Sequence, residues 1–269
     1  MRFKASIAAS FAAGVLLAVM PAAGQQAAAY RAPRTADGKA NLNGIWQALN
    51  TANWDLEGHA ASAGPAASAG ILGAEFAVAP GLSVVDGDTI PYLPAAQAKR
   101  KQNLDNRFKD DPELKCYMPG VPRATYMPYP FQILQTGKDI LIVYEYATSS
   151  RLINMGKPIE AGSDTWMGNS NGHWEGNTLV VNVDGLNGLA WFDRAGNFAS
   201  DKMKVVERYT LTDKDHINYE ATITDPSVFT RPWKINLTLY KRVEKNAQLL
   251  EFKCVEFAEE LLYGQFKKK

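Results

Sequence analysis

From residue 131 onward, short polar turns separate runs in which apolar residues alternate, and this rhythm constrains the fold more than any other feature of the chain. Phe131–Thr136 and Ile140–Tyr146 flank Gly137-Lys138-Asp139, and Trp166–Trp174 and Thr178–Val183 flank Glu175-Gly176-Asn177. Val205–Leu211 and Ile217–Thr224 flank Thr212-Asp213-Lys214-Asp215, and Lys234–Arg242 and Leu249–Cys254 flank Glu244-Lys245-Asn246. Each pattern predicts a β-hairpin. Leu179, Val181 and Val183 share one face of their strand, as do Ile217, Tyr219, Ala221 and Ile223. Asn43-Gly44-Ile45-Trp46-Gln47 predicts a strand ahead of the hairpins. Successive hairpins make an all-β antiparallel meander. Eight or more such strands close into a barrel or fold into a β-sandwich, since either removes exposed edges. Helix is expected only near 94–109 and 255–263. In the first, Pro94 suits an initial helical position, Gln97, Lys101, Leu104 and Phe108 fall on one face, and Asp110-Asp111-Pro112 ends it. The second is stopped by Gly264.

Ahead of this region the N-terminus has the layout of a secretory signal peptide. Arg2 and Lys4 precede an apolar run from Ile7 to Met20, and Pro21-Ala22-Ala23-Gly24 supplies small residues for cleavage. The run is shorter than the ~20 residues a membrane span needs. Residues 1–24 are therefore read as the signal and 25–269 as a single β domain, with the Ala/Ser/Gly-rich stretch 58–74 as a surface loop. Loss of Arg2 and Lys4 takes the formal charge from +1, less two, to −1. That balance gives no electrostatic reason to bind nucleic acid or an anionic membrane, and no stable membrane insertion is expected after cleavage. An exported chain with an even pair of cysteines, Cys116 and Cys254, predicts a disulfide, two separate buried thiols being the alternative. Two cysteines and three histidines do not suggest a Cys/His metal site. No motif calls for a cofactor, and the familiar catalytic motifs are missing.

What remains is the placement of charges and rings. Alternation puts Glu207 on one face with Val205, Tyr209 and Leu211, and Glu145 with Leu141 and Val143. A carboxylate on an apolar face is costly unless paired, and Arg123, Arg151 or Arg208 are the candidate partners. Such a carboxylate is either a general acid or base or half of a structural ion pair. The six tryptophans, Trp46, Trp54, Trp166, Trp174, Trp191 and Trp233, serve as core or line a pocket for a flat ligand. Trp191-Phe192-Asp193-Arg194 follows the glycine-containing loop 185–188 and sets an acid and a base beside two rings. Asp193 alternatively caps the turn Arg194-Ala195-Gly196-Asn197. His173, at a hairpin end, is expected at the surface.

These segments resemble a large family of exported bacterial β proteins with little assigned function. The resemblance runs from about Pro91 to Tyr263. It is carried by Asp111-Pro112, Cys116, Pro119-Gly120-Val121-Pro122-Arg123, and the run from Trp166-Met167-Gly168-Asn169-Ser170-Asn171-Gly172 to His173-Trp174-Glu175-Gly176. Further landmarks are Trp191–Phe198, Glu207-Arg208-Tyr209, Asp225-Pro226 and Arg231-Pro232-Trp233. It implies export, a β fold and the cysteine pair, but no reaction. It also implies a histidine where this chain has Ala199, a departure that puts in doubt any activity carried by that histidine. Gly44-Ile45-Trp46 is similar to the Gly-x-Trp opening of lipocalin-type barrels, which agrees with a lipocalin-like closure of the meander.

The expected function is that of a periplasmic or secreted barrel holding a small apolar or aromatic molecule. As an enzyme it would use Glu207, Asp193 and Arg123 in acid/base chemistry, with Trp166, Trp191, Arg194, Tyr209, Glu145 and Arg151 around the ligand. The alternatives are a non-catalytic binding protein and an envelope-interaction protein. At least three of Arg123, Trp166, Asp193, Arg194 and Glu207, with Trp191 and Tyr209 as walls, are expected to line one concavity at a barrel mouth. The oligomeric state is left open.

Overall fold

The strands follow from the alternation. In the computed structural model, which describes residues 30–62 and 78–256, nine strands form one closed barrel in sequence order. They are β1 (Gly44–Ala48), β2 (Phe131–Gln135), β3 (Asp139–Tyr144), β4 (Ser150–Asn154), β5 (Asn169–Glu175), β6 (Thr178–Asp184), β7 (Lys204–Leu211), β8 (His216–Thr224) and β9 (Trp233–Lys241). The described residues from Arg31 onward belong to one unit. The signal-peptide segment 1–24 lies outside the described residues, as do 63–74 of the expected surface loop and 257–263 of the expected C-terminal helix. Residues 58–62 form a short ladder in which His59 pairs with Gly81 and Ser62 with Val78. No helix among the described residues is long and apolar enough to cross a membrane.

The closed barrel excludes the sandwich, but the meander is not wholly antiparallel. Going once round a closed barrel must restore the starting strand direction, so antiparallel pairings come in an even number. Nine strands therefore require a parallel pairing, and it falls between β4 and β5, where Ile153 pairs with Ser170 and Asn154 with Asn171. A parallel pair needs a crossover of about a dozen residues or more, which residues 155–168 supply. Asn171 Oδ1 accepts from Ile159 N at 2.9 Å, and the side-chain amides of Asn169 and Asn171 donate to Ile159 O at 2.8 and 2.9 Å. The alternation Asn169-Ser170-Asn171-Gly172 thus turns two amides outward to hold the crossover and sends Ser170 and Gly172 inward.

The fourth expected hairpin is a correction. Residues 249–254 form no strand. β9 pairs instead with β1, with Gln47 opposite Tyr240 and Ala48 opposite Leu239, because closure offers β9 a complete partner. The segment after β9 is held elsewhere. Phe252 packs on Tyr129 and Tyr146 with ring centroids 5.1 and 4.9 Å apart, and Cys254 forms a disulfide with Cys116 across 138 residues. β4 is a strand that the hairpin pattern did not mark.

Inward positions fill the lumen. Phe131, Ile133, Ile140, Ile142, Val181, Leu179, Ile217, Ile223, Ile235 and Leu239 are all buried, and burial of this kind is the main favourable term in folding. Tight turns (136–138, 176–177 and 212–215) gather at one end. The long connections 49–130, 185–203 and 225–232 gather at the other and cover it. There the buried turn Arg123–Tyr126 plugs the barrel mouth, and helix α1 (Pro94–Asp105) lies outside it. α1 ends before the expected 109, with a separate turn at Arg107–Asp110. Its inward face is Ala96 and Asn103, rather than Gln97 and Lys101, because its partners are polar. Asn103 Nδ2 donates to Gly196 O at 3.2 Å, and Arg100 pairs with Glu57 at 3.2 Å. Gly196 sits at φ +81°, and a Cβ there would fall 2.7 Å from Leu104 N, so only glycine admits the helix this closely.

Candidate functional site

The charges and rings singled out by sequence do not converge on one site; they divide among three places at the covered end and one outside the barrel.

The first place is inside the lumen. Glu207 stands in a row of small or apolar neighbours, opposite Val181 and Ala221, and is wholly buried. Arg151, on β4, reaches it from three strands away, with Nη2 2.6 Å from Oε2. The hydroxyls of Tyr209 and Tyr219 donate to Glu207 Oε1 at 2.9 and 2.8 Å, and Arg151 Nη2 donates to the Tyr209 hydroxyl at 3.1 Å. Burial and the Glu207 charge raise the Tyr209 and Tyr219 hydroxyls well above the ordinary tyrosine range, so both stay protonated donors. Burial works against the charge on Arg151, but Glu207 overrides it and holds the guanidinium protonated. The expected arginine partner is thus Arg151. Arg208 faces outward, 2.8 Å from Glu175, and Arg123 belongs to the second place. The cluster is incomplete: Arg151 Nε and Nη1 and Ser170 Oγ are buried with no hydrogen-bond partner, and Glu207 Oε2 has the Arg151 ion pair alone, while Thr125 and the Tyr144 hydroxyl lie beside them.

The second place is the cap. Arg123 Nη2 lies 2.5 Å from Glu113 Oε2, and Nη1 lies 3.5 Å from Asp111 Oδ1. Arg123 Nε donates to Asn53 Oδ1 at 2.8 Å and Nη1 to Trp191 O at 3.4 Å. Arg194 grips Glu113 with Nε and Nη2, each at 2.8 Å, and its guanidinium lies 4.1 Å from the Trp54 ring centroid. Burial alone would raise the Glu113 carboxyl; the guanidiniums of Arg194 and Arg123 overcome it and hold the group at about 2. Asp193 caps the turn that follows it. Its Oδ1 accepts from Ala195 N and Asn197 N at 2.9 and 3.2 Å, and its Oδ2 from Leu56 N and Asn197 Nδ2 at 2.9 and 2.6 Å. Burial, reinforced by the neighbouring Asp55 carboxyl, pushes Asp193 up to about 7 against those four donors. Trp191 is buried and contributes its carbonyl, not its ring, to Arg123.

The third place is a cleft of about 600 Å³ where β4 and β5 part. Register between them covers only two residue pairs, so Ser150–Leu152 and Gly168–Asn169 face each other unpaired. Met118, Leu152, Trp166 and Met167 wall the cleft, and Arg151 and Ser170 also line it. Trp166 is braced by Tyr117, stacked with centroids 4.9 Å apart. Gly168, at φ +67°, brings the chain so close to β6 that a Cβ would lie 2.7 Å from Asp184 O.

Glu145 is a correction. β3 ends at Tyr144, and Glu145 continues its outer face with Leu141 and Val143, while Ile140, Ile142 and Tyr144 are the inward set. Its Oε2 accepts from Leu250 N at 2.8 Å. Of the seven side chains expected to share a concavity, the cleft takes Trp166, and Arg151 also lines it. His173 is half exposed and 3.3 Å from Glu175. Among the described residues no group of three or more His, Cys, Asp or Glu side chains is placed to hold a metal ion.

Sequence reasoning missed Glu113, Asn53, Thr125, Tyr144 and Ser170. Ser170 carried a readable signal, the alternation in Asn169–Gly172. Glu113 carried none, since it sits in the short 3-10 turn Pro112–Lys115 that has no periodicity. No family model, curated protein or solved structure matches the chain.

Proposed function

We propose that this protein is exported and holds a small apolar or aromatic molecule in the cleft between β4 and β5, without carrying out chemistry on it. The carrying observation is the cleft itself: about 600 Å³, with Trp166, Met118, Met167 and Leu152 set in a lining that also holds Asp164, Thr165, Asn169 and Asn187, and within the size range of small-molecule sites. Binding without catalysis is favoured because the candidate acids are occupied. Glu207 is taken up by Arg151 and two tyrosine hydroxyls, and Asp193 by four N–H donors. Both carboxyls are wholly buried. Export rests on the tripartite N-terminus and agrees with the Cys116–Cys254 disulfide. The resemblance read from the sequence motifs, to exported bacterial β proteins, points to the same placement.

The test is titration with N-phenyl-1-naphthylamine, a neutral probe whose emission rises in apolar surroundings. Saturable binding to one site is expected, weakened about tenfold in Trp166→Ala, which is ~1.4 kcal/mol. Absence of binding, or equal affinity in the variant, overturns the assignment.

A further inference from the structure

We infer that the bound molecule carries a neutral acceptor oxygen, a ketone, aldehyde, quinone or amide carbonyl, which passes between β4 and β5 to take hydrogen bonds from Arg151 and Ser170. This rests on the cleft as the binding site and specifies what the site selects.

The floor of the cleft is rich in donors. Arg151 and Ser170 both line the cleft, and their side chains are nine-tenths or more buried. Arg151 Nε and Nη1 and Ser170 Oγ have no hydrogen-bond partner, and behind them Thr125 and the Tyr144 hydroxyl lie close enough to each other to interact. Guanidinium N–H groups only donate, and a hydroxyl can donate as well as accept. The nearby carboxylate, Glu207, is already engaged by Arg151, Tyr209 and Tyr219. Buried donors in this condition call for an acceptor.

Charge decides which acceptor. The Arg151 charge is already matched by Glu207 at 2.6 Å. A ligand carboxylate would therefore bring an uncompensated negative charge into a buried site, which is strongly unfavourable. A neutral carbonyl satisfies the N–H groups without adding charge. Access lies at the seam, because Ser150–Leu152 has no ladder partner on β5 and the outward-pointing Leu152 is exposed.

Displacement of N-phenyl-1-naphthylamine by three competitors of similar shape tests this: 2-acetylnaphthalene, 2-ethylnaphthalene and 2-naphthoate. The ketone should compete about tenfold better than the hydrocarbon, the ratio sustained by a hydrogen bond to a charged donor, and also better than the carboxylate. The ketone-to-hydrocarbon ratio should fall toward one in Ser170→Ala, whose folding is checked by near-ultraviolet circular dichroism. Arg151 is left intact, because its loss would strand Glu207. Equal competition by ketone and hydrocarbon would mean that water alone completes the donors, and would overturn the inference while leaving the cleft as a binding site. Tightest binding of 2-naphthoate would overturn it in favour of an anion site. Failure of all three to displace a bound probe would overturn it as well, whereas failure of the probe itself to bind defeats the cleft assignment along with it.

Discussion

In the cap, two arginines meet two carboxylates; inside the barrel, one arginine meets one. The cap network joins chain segments far apart in sequence, with Asn53, Asp111, Glu113, Arg123 and Arg194 within one set of bonds. Each Glu113 oxygen faces a guanidinium nitrogen, and Arg123 uses all three of its nitrogens. In the lumen, Glu207 Oε1 accepts from two tyrosine hydroxyls and Oε2 meets Arg151 as an ion pair, while Arg151 Nε and Nη1 have no hydrogen-bond partner. The difference teaches that burial of an ion pair does not by itself mark a functional group. The denser network fixes covering loops onto the barrel mouth with Asn53 Nδ2 left over, and the sparser one, beside a cleft, leaves Arg151 Nε and Nη1 and Ser170 Oγ without partners.

If the cap is a structural lock, its loss should be the costlier. Arg123→Met leaves Glu113 and Asp111 buried with one guanidinium fewer, and should destabilise the protein by about 5 kcal/mol in urea unfolding, the upper range for breaking a buried pair. A loss under about 1 kcal/mol would put the network on a par with surface pairs and erase the contrast.

The lumen pair should be the weaker and the more replaceable. Glu207→Gln leaves Arg151 charged and buried, and should cost about 3 kcal/mol. Adding Arg151→Met to Glu207→Gln should recover about 2 kcal/mol of that, since removing both charges ends the desolvation cost. No recovery in the double variant would show that the lumen cluster is as interlocked as the cap.

A pH dependence separates two carboxyls within the cap. Glu113 is held down at about 2 from 4.5, so its stabilisation is present above pH 4.5 and is lost as pH falls through about 2. Asp193 is pushed up from 3.8 to about 7, so its contribution is full below pH 3.8 and is lost as pH rises through about 7. The melting-temperature difference between wild type and Asp193→Asn should therefore shrink steadily between those two values as pH rises. A difference that stays flat across the window would place the Asp193 carboxyl at an ordinary value.

Legibility in the sequence followed periodicity. Glu207 was readable because β7 alternates over eight residues, Lys204–Leu211, long enough to fix which face is apolar. Glu145 misled because alternation continues past the true end of β3: the backbone leaves the strand at Tyr144, and the face shared by Leu141 and Val143 is the outer one. β4 escaped notice because Ser150-Arg151-Leu152-Ile153-Asn154 puts its arginine inward and its leucine outward, reversing the usual pattern. That reversal lies at the cleft, with an arginine in the lumen and an exposed leucine beside it. The false final hairpin came from treating each strand as needing its sequence neighbour, when closure supplies β9 with β1. The cap was illegible because its contacts, such as Arg123 with Asn53 seventy residues away, are set by loop packing, which carries no repeat.

The Cys116–Cys254 bond also divides the barrel into two covalent classes. The loop of chain that it closes contains β2 through β9, and β1 alone stands outside it. Eight of the nine staves are therefore bound by one hoop, and the ninth is inserted as a clasp between the first and last of them, gripping β2 through Gly44–Trp46 and β9 through Trp46–Ala48. A hoop limits how far its own members can separate when the structure loosens, but it lends nothing to the clasp. The wholly buried Trp46, with its indole N–H donating to Leu42 O at 2.9 Å, must hold that place by packing and by hydrogen bonds, with no covalent help.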